Sequence, residues 1–297
     1  MIILNLPDIH VTNRRPRYRK DDYVDSLFSK LEWIVDFAKG VDAVLQPGDF
    51  LNTPSPGLPV LNRIIGVLKR IKIPVYVVYG QHDLKYHSLR TRYKTGVCLL
   101  EKAEFLRTVE ADSPILLEKD VRLYGCSWGQ SIREPLKGFN ILLIHKLILE
   151  DKPLFPGQED VLYASRFLRE NNYDLIVSGD NHNSFICKKG DKCLINCGSL
   201  MRMTIGQVKH KPCIVVYDTE TRKEEKVFIP IENDVFDIEE VEKEKYKEEK
   251  MRIYIEAMNE DYEVGTYFEK SIRNFLDYNE IEEGVRKAIL MAVGEGG

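Results

Sequence analysis

Asp8-Ile9-His10, Gly48-Asp49, Gly80-Gln81-His82-Asp83, His145 and Gly179-Asp180-Asn181-His182 each follow directly on a short apolar run. They hold four of the six histidines in the chain, which marks these five places as a group. A lone histidine at a strand end is most often a packed core residue. Five strand ends that all deliver Asp, His or an amide are not explained that way. Asp8, His10, Asp49, Gln81, His145, Asp180 and His182 form a mixed oxygen and nitrogen set without thiolate, which suits manganese, magnesium or iron better than a structural zinc ion. Seven ligands exceed what one ion uses and fit two ions sharing a carboxylate. Two divalent ions about 3.5–4 Å apart polarise a phosphoryl oxygen, activate a water and stabilise both oxygens of an in-line displacement.

The elements that must position these groups can be read from periodicity. Ile2–Leu6, Val41–Leu45 and Val75–Tyr79 read as buried strands. Between them, Asp21–Lys39, with apolar residues at Leu27, Leu31, Ile34, Val35 and Ala38, and Val60–Lys69 have helical spacing. Such a β-α-β-α-β series makes parallel strands. Further strands are expected at Ile115–Leu117, Val121–Tyr124, Ile141–Ile144, Leu175–Ser178, Leu194–Asn196 and Ile214–Tyr217, with one helix around Val161–Glu170. Residues 1–231 are therefore expected to form a two-sheet α/β sandwich with helices outside. Its chemistry would lie at the C-terminal ends of the strands, where open α/β sheets place their sites.

After Pro230 the composition shifts. Residues 231–297 carry 9 Lys/Arg against 19 Asp/Glu, while the preceding residues carry 34 against 28. Apolar positions among Tyr254, Ile255, Met258, Tyr267, Phe268, Ile272, Phe275, Leu276, Ile289 and Leu290 recur at three- and four-residue steps, and Gly265 and Gly284 read as helix stops. Residues 232–297 are expected to be an acidic helical tail that packs on its own domain or docks a partner. At 43% hydrophobic and 30% charged the chain is neither disordered nor membrane-spanning, and its N-terminus reads as a strand, not a leader. Six cysteines with no C-x-x-C spacing suggest a reducing, cytoplasmic setting. Cys187, Cys193 and Cys197 match no common zinc pattern and read as strand-packed thiols.

The five segments, in order over about 175 residues, resemble the motif series of the calcineurin-like metallophosphoesterases: D-x-H, G-D, G-N-H-D/E, an isolated H and G-H-x-H. Within that superfamily the chain resembles nuclease subunits of the SbcD type, phage relatives included, on Gly198-Ser199-Leu200-Met201-Arg202, the short Asp8-to-Asp49 spacing and the tail. The resemblance implies that Asp8, His10, Asp49 and His182 hold one ion and Asp49, Gln81, His145 and Asp180 the other. His82, beside Asp83, is left without a metal; a carboxylate-steered histidine there would stabilise five-coordinate phosphorus or protonate a departing 3′ oxygen. The plainer alternative is that His82 supports its loop. Three positions depart from the pattern: Gln81 stands for asparagine, Asp180 for histidine, and Asn52 for a histidine thought to orient DNA.

Two basic segments follow the metal loops. Arg14, Arg15, Arg17, Arg19 and Lys20 are one; Lys85, Arg90, Arg92 and Lys94, interleaved with Tyr86 and Tyr93, are the other. Cations with aromatics suit phosphate contact and base stacking. The resulting expectation is a two-metal, manganese-dependent DNA exonuclease or endonuclease acting on ends or single strands, in a repair or recombination complex. The resemblance adds a coiled-coil ATPase of the SbcC type, bound through the C-terminal helices, and leaves a homodimer open. The alternatives are a phosphatase or phosphodiesterase acting on a small molecule or phosphoprotein, and a non-catalytic metal-containing binding module.

Overall fold

The computed structural model describes residues 1–154, 158, 161–259, 271–277, 279 and 281–294. The chain forms two compact units, Met1–Asp237 and Ile238–Gly297. The first is the expected two-sheet α/β sandwich. One sheet holds β1 (Ile2–Asn5), β2 (Ala43–Gln46), β3 (Val75–Val77), β4 (Arg107–Thr108), β11 (Cys213–Asp218) and β12 (Lys223–Phe228), in the order β12-β11-β1-β2-β3-β4. The other holds β5 (Ile115–Glu118), β6 (Val121–Cys126), β7 (Phe139–His145), β8 (Leu175–Gly179), β9 (Phe185–Lys189) and β10 (Lys192–Asn196), in the order β5-β6-β7-β8-β10-β9.

Successive side chains of a strand point to opposite faces, and here both faces are buried. Ile3, Leu45, Leu143 and Val177 enter the core between the sheets. Leu4 and Val44 face outward, in one cluster with residues of α1 (Tyr23–Phe37), α2 (Leu58–Leu68) and α3 (Gly96–Lys102). On the second sheet Leu142 and Ile176 meet Ala164, Phe167 and Leu168 of α4 (Ala164–Glu170). β1, β2 and β3 run parallel, as do β6, β7, β8 and β10, so several strand ends open on the same side.

Several elements differ from expectation. α3 and the strands β4, β9 and β12 have no counterpart in the periodicity. β4 is two residues long, β9 (Phe-Ile-Cys-Lys-Lys) is a short edge strand that ends in exposed lysines, and β12 is an edge strand whose polar, half-exposed sequence resembles a loop. β12 forms a full six-pair register with β11 all the same. The helix expected from Val161 begins at Ala164. The second unit contains α5 (Ile238–Asn259), a helical stretch over 271–277 and α6 (Glu283–Gly294), and Arg286 bonds the carbonyl of Leu276 and the carboxylate of Asp277. Gly284 sits in the first turn of α6 and ends no helix. Gly265, Tyr267 and Phe268 lie outside the described residues. No helix among the described residues is long and apolar enough to cross a membrane. All six cysteines are free, and none belongs to a described group able to hold a metal.

Candidate metal centre

Five strand ends of the sandwich bring the seven ligand-type side chains together. Asp8 and His10 follow β1, Asp49 follows β2 and Gln81 follows β3; His145 ends β7, and Asp180 and His182 follow β8. Asp8, His10, Asp49 and His145 are at most 2% exposed. Two overlapping groups have donor atoms within 4.8 Å of one another: Asp8 with His10 and His182, and His10 with Asp49 and His82. His10 Nε2 and His182 Nε2 are 3.2 Å apart, and His10 Nε2 is 3.7 Å from Asp49 Oδ2.

The loops are built to allow this convergence. His10, Asp49 and Asp180 take left-handed backbone conformations, with φ of 52°, 50° and 78°. Non-glycine residues seldom do so unless their surroundings force it, and such positions cluster at functional sites. Gly80 and Gly179 permit close approach: a Cβ on Gly80 would lie 2.1 Å from Asp49 Oδ1, and one on Gly179 2.5 Å from Asp8 Oδ1. The Gly198-Ser199 segment holds the first loop, since Asp8 N–H donates to Gly198 O and Leu200 N–H to Asp8 O.

Hydrogen bonds use some ligand atoms and spare others. Asp8 Oδ2 accepts from Asp180 N–H, and Asp49 Oδ1 from His82 N–H, both at 2.8 Å. Gln81 donates Nε2–H to Asp180 Oδ1, turning Oε1 toward His145 Nε2 at 2.7 Å. His145 Nδ1 lies 2.7 Å from Pro47 O and donates there, which leaves Nε2 as the nitrogen that faces Gln81 and Asp49. Asp8 Oδ1, Asp49 Oδ2 and His10 Nδ1 are buried without a partner. Unpaired buried polar atoms are costly and uncommon in a folded interior. Three of them in one cluster of carboxylates and imidazoles fit a site that takes cations.

The charge balance agrees. Burial drives the Asp8 carboxyl well above the usual range, against the attraction of His145, with repulsion from Asp49 added. Burial acts upward on Asp49 too, but the charge of His145, whose Nε2 lies 3.5 Å from Asp49 Oδ2, outweighs it and holds Asp49 at about 2. Burial pushes His145 down, and Asp49 and Asp8 outweigh it, lifting the ring to about 10. Burial lowers His10 to about 3 and lowers His182 as well. The centre thus combines crowded, buried carboxylates with imidazoles, and it reaches solvent on the side of His182, whose side chain is 34% exposed.

A family model for the calcineurin-like phosphoesterase superfamily domain matches residues 1–222. The chain belongs to that superfamily. Calcineurin-like phosphoesterases use divalent metals, and this chain has the family's fold and a cluster of suitable ligand atoms at its strand ends. The chain is 25% identical to the double-strand break repair protein MRE11 of Encephalitozoon cuniculi, over 63% of this chain and 41% of that protein. It is 23% identical to the DNA double-strand break repair protein Mre11 of Halobacterium salinarum, over 64% of this chain and 48% of that protein. It thus spans less than half the length of these curated relatives. A solved archaeal phosphodiesterase aligns with a TM-score of 0.44 at 15% identity, over 77% of this chain and all of that one.

Three expected roles need correction. Asp83 does not steer the ring of His82: its buried carboxylate accepts from the N–H groups of Phe50, Leu51 and Gly80, tying two calcineurin-type loops together. The His82 ring is exposed, and its Nδ1 lies 3.2 Å from the carbonyl of Asn52. Arg19 is no rim cation. It is 3% exposed, pairs with Asp21, donates to Arg202 O at 2.7 Å and lies over the rings of Tyr23 and Phe236. Arg92 is engaged by both carboxylate oxygens of Glu110, at 2.7 and 2.8 Å. Arg14, Arg15, Arg17 and Arg90 are exposed, Lys85 is half-buried, and Lys20 pairs with Asp234 at 2.8 Å. Sequence reasoning overlooked Pro47, whose carbonyl orients His145, and Trp128, whose ring lies 6.3 Å from that of His145. The position of Trp128 just beyond β6 was the available signal for it.

Proposed function

We propose that this chain is a two-metal phosphodiesterase that cleaves DNA, with residues 1–231 as the nuclease and residues 232–297 as a docking segment. The observation that carries the reading is the convergence of seven ligand-type side chains around buried carboxylate oxygens that lack partners. Asp8, His10, Asp49 and His182 would hold one ion, and Asp49, Gln81, His145 and Asp180 the other, with manganese as the preferred metal for this hard, thiolate-free set. Bound there, the ions would supply Lewis acidity toward the phosphoryl oxygens and a lowered pKa for water. Gln81 orients Asp180 through its amide, and Pro47 fixes the His145 ring. His82, on the exposed side, donates a proton to the leaving oxygen, while the Asn52 carbonyl holds its Nδ1.

DNA is favoured as substrate by the exposed cations Arg14, Arg15, Arg17 and Arg90, and by relatives named for double-strand break repair. The acidic second unit would repel DNA, so its role is to bind a coiled-coil ATPase of the SbcC type. Metal-dependent cleavage of end-labelled single- and double-stranded DNA, compared with bis-p-nitrophenyl phosphate and phosphomonoesters, tests the reading. Turnover of phosphomonoesters alone would reject it. Truncation after Asp237, the end of the first compact unit, should leave cleavage of the small diester and abolish co-purification with such an ATPase.

A further inference from the structure

A cavity of about 530 Å³ opens beside the candidate metal centre, and the ligand chemistry accounts for little of its lining. His145 and Asp180 form the part next to the centre. Beyond them the wall is made by Trp128, Leu147 and Leu162, with Gln130 and the exposed Lys146. Ligand pockets of this size are typically apolar-walled with a few polar groups, and this one is continuous with a phosphoesterase centre.

Trp128 is held there by its neighbours. Its backbone N–H donates to Tyr79 O at 2.8 Å, Ser127 Oγ accepts from Tyr79 N–H at 3.0 Å, and Ser127 N–H donates to the Gln130 side chain at 2.9 Å. Tyr79 directly precedes the Gly80–Asp83 loop, so the backbone that carries the indole is tied to the segment that positions Gln81. The ring stands at 62° to His145. A flat apolar wall next to a phosphate-binding centre calls for a flat group attached to the phosphate.

We propose that this cavity receives a nucleobase, stacked on Trp128, from the nucleotide next to the scissile phosphate, with Lys146 meeting an adjoining phosphate. The base must be unpaired, because a paired base would bring its complement into the same wall. This selects frayed ends and single strands over intact duplex. The inference rests on the phosphodiesterase reading above, and the same chemistry serves a DNA strand or a free nucleotide.

The chain has two tryptophans, and Trp33, stacked on Phe37 in α1, is the other. Trp33→Phe therefore leaves Trp128 as the sole indole reporter. With calcium present, dAMP and a single-stranded oligonucleotide should quench its fluorescence, while 2-deoxyribose 5-phosphate and an abasic strand should not. In the otherwise native chain, Trp128→Ala should weaken dAMP binding about 5- to 100-fold by calorimetry, and Trp128→Phe should restore most of it. Equal quenching by dAMP and the sugar phosphate, or none by dAMP or the oligonucleotide, overturns the base pocket, even if DNA is cleaved. Quenching by dAMP but not by the oligonucleotide keeps the base pocket and overturns DNA as its source.

Discussion

The sandwich buries charge in two places, and they are resolved in opposite ways. In the basic one, Arg19 gives its guanidinium to Asp21 and Arg202 O, and Arg202 donates to Val208 O and Glu232 O, with Phe236 beside both cations. In the acidic one, Asp8 and Asp49 each keep a buried oxygen without a partner. Burying a charge is tolerable when hydrogen bonds replace water. The basic cluster meets that condition within the fold, whereas the acidic cluster, with His145 and His10 as the cationic-type neighbours of Asp49 Oδ2, leaves part of it to a ligand. The two clusters therefore differ in one respect above burial and charge, the carboxylate oxygens of Asp8 and Asp49 that accept no hydrogen bond.

The sharpest way to break this contrast is Asp49→Ala. It should abolish metal-dependent hydrolysis, because the proposed ligand scheme makes Asp49 the carboxylate shared by both ions. More than a few per cent of activity with two metals bound by titration would refute the bridging role. Next in size, His82→Ala should keep both metals and lose cleavage by about 10²–10⁴, the range for a positioned acid. Loss of a metal would instead make His82 a ligand, as its proximity to His10 and Asp49 allows.

On the basic side, Arg19→Ala should cost about 3–5 kcal/mol of folding stability, since the buried partners lose their cation. Turnover of a small diester per folded molecule should not change, and denaturant melts alongside initial rates check both. The smallest effect is expected at Lys30, which burial, with Arg19 and Arg202 adding repulsion, lowers to about 8. The unfolded lysine titrates near 10.4, so the unfolded state binds more protons between these values. Stability should then rise with pH from about 8 to 10.4, the full cost of the buried charge applying below 8. Lys30→Met should stabilise by about 1–3 kcal/mol at pH 7 and flatten that rise; a mutant with an unchanged pH profile would count against it.

Much of the acidic cluster was legible in the sequence. Metal chemistry restricts residue types, and open α/β sheets restrict where those types can stand, so Asp8, Asp49 and His145 could be singled out from their strand ends. The basic cluster was hidden. Nothing in Arg14-Arg15-Pro16-Arg17-Tyr18-Arg19-Lys20 distinguishes the arginine that turns inward, because its partners Arg202 and Phe236 are close only in the fold. Edge strands were hidden for a related reason: β12 is specified by the free edge of β11, not by its own Lys-Glu-Glu-Lys sequence. Trp128 escaped because a stacking surface, unlike a ligand, leaves no motif.

The position of β1 between β2 and β11 affects how the protein is made. Residues 2–5 lie against residues 43–45 on one side and residues 215–218 on the other. During synthesis the strand that carries Asp8 and His10 must wait, half-paired, until more than two hundred residues have left the ribosome. Contacts of such long sequence separation form late and slowly. Ions can therefore load only onto a nearly finished sandwich, and a chain stalled before Cys213 would expose a strand edge to aggregation.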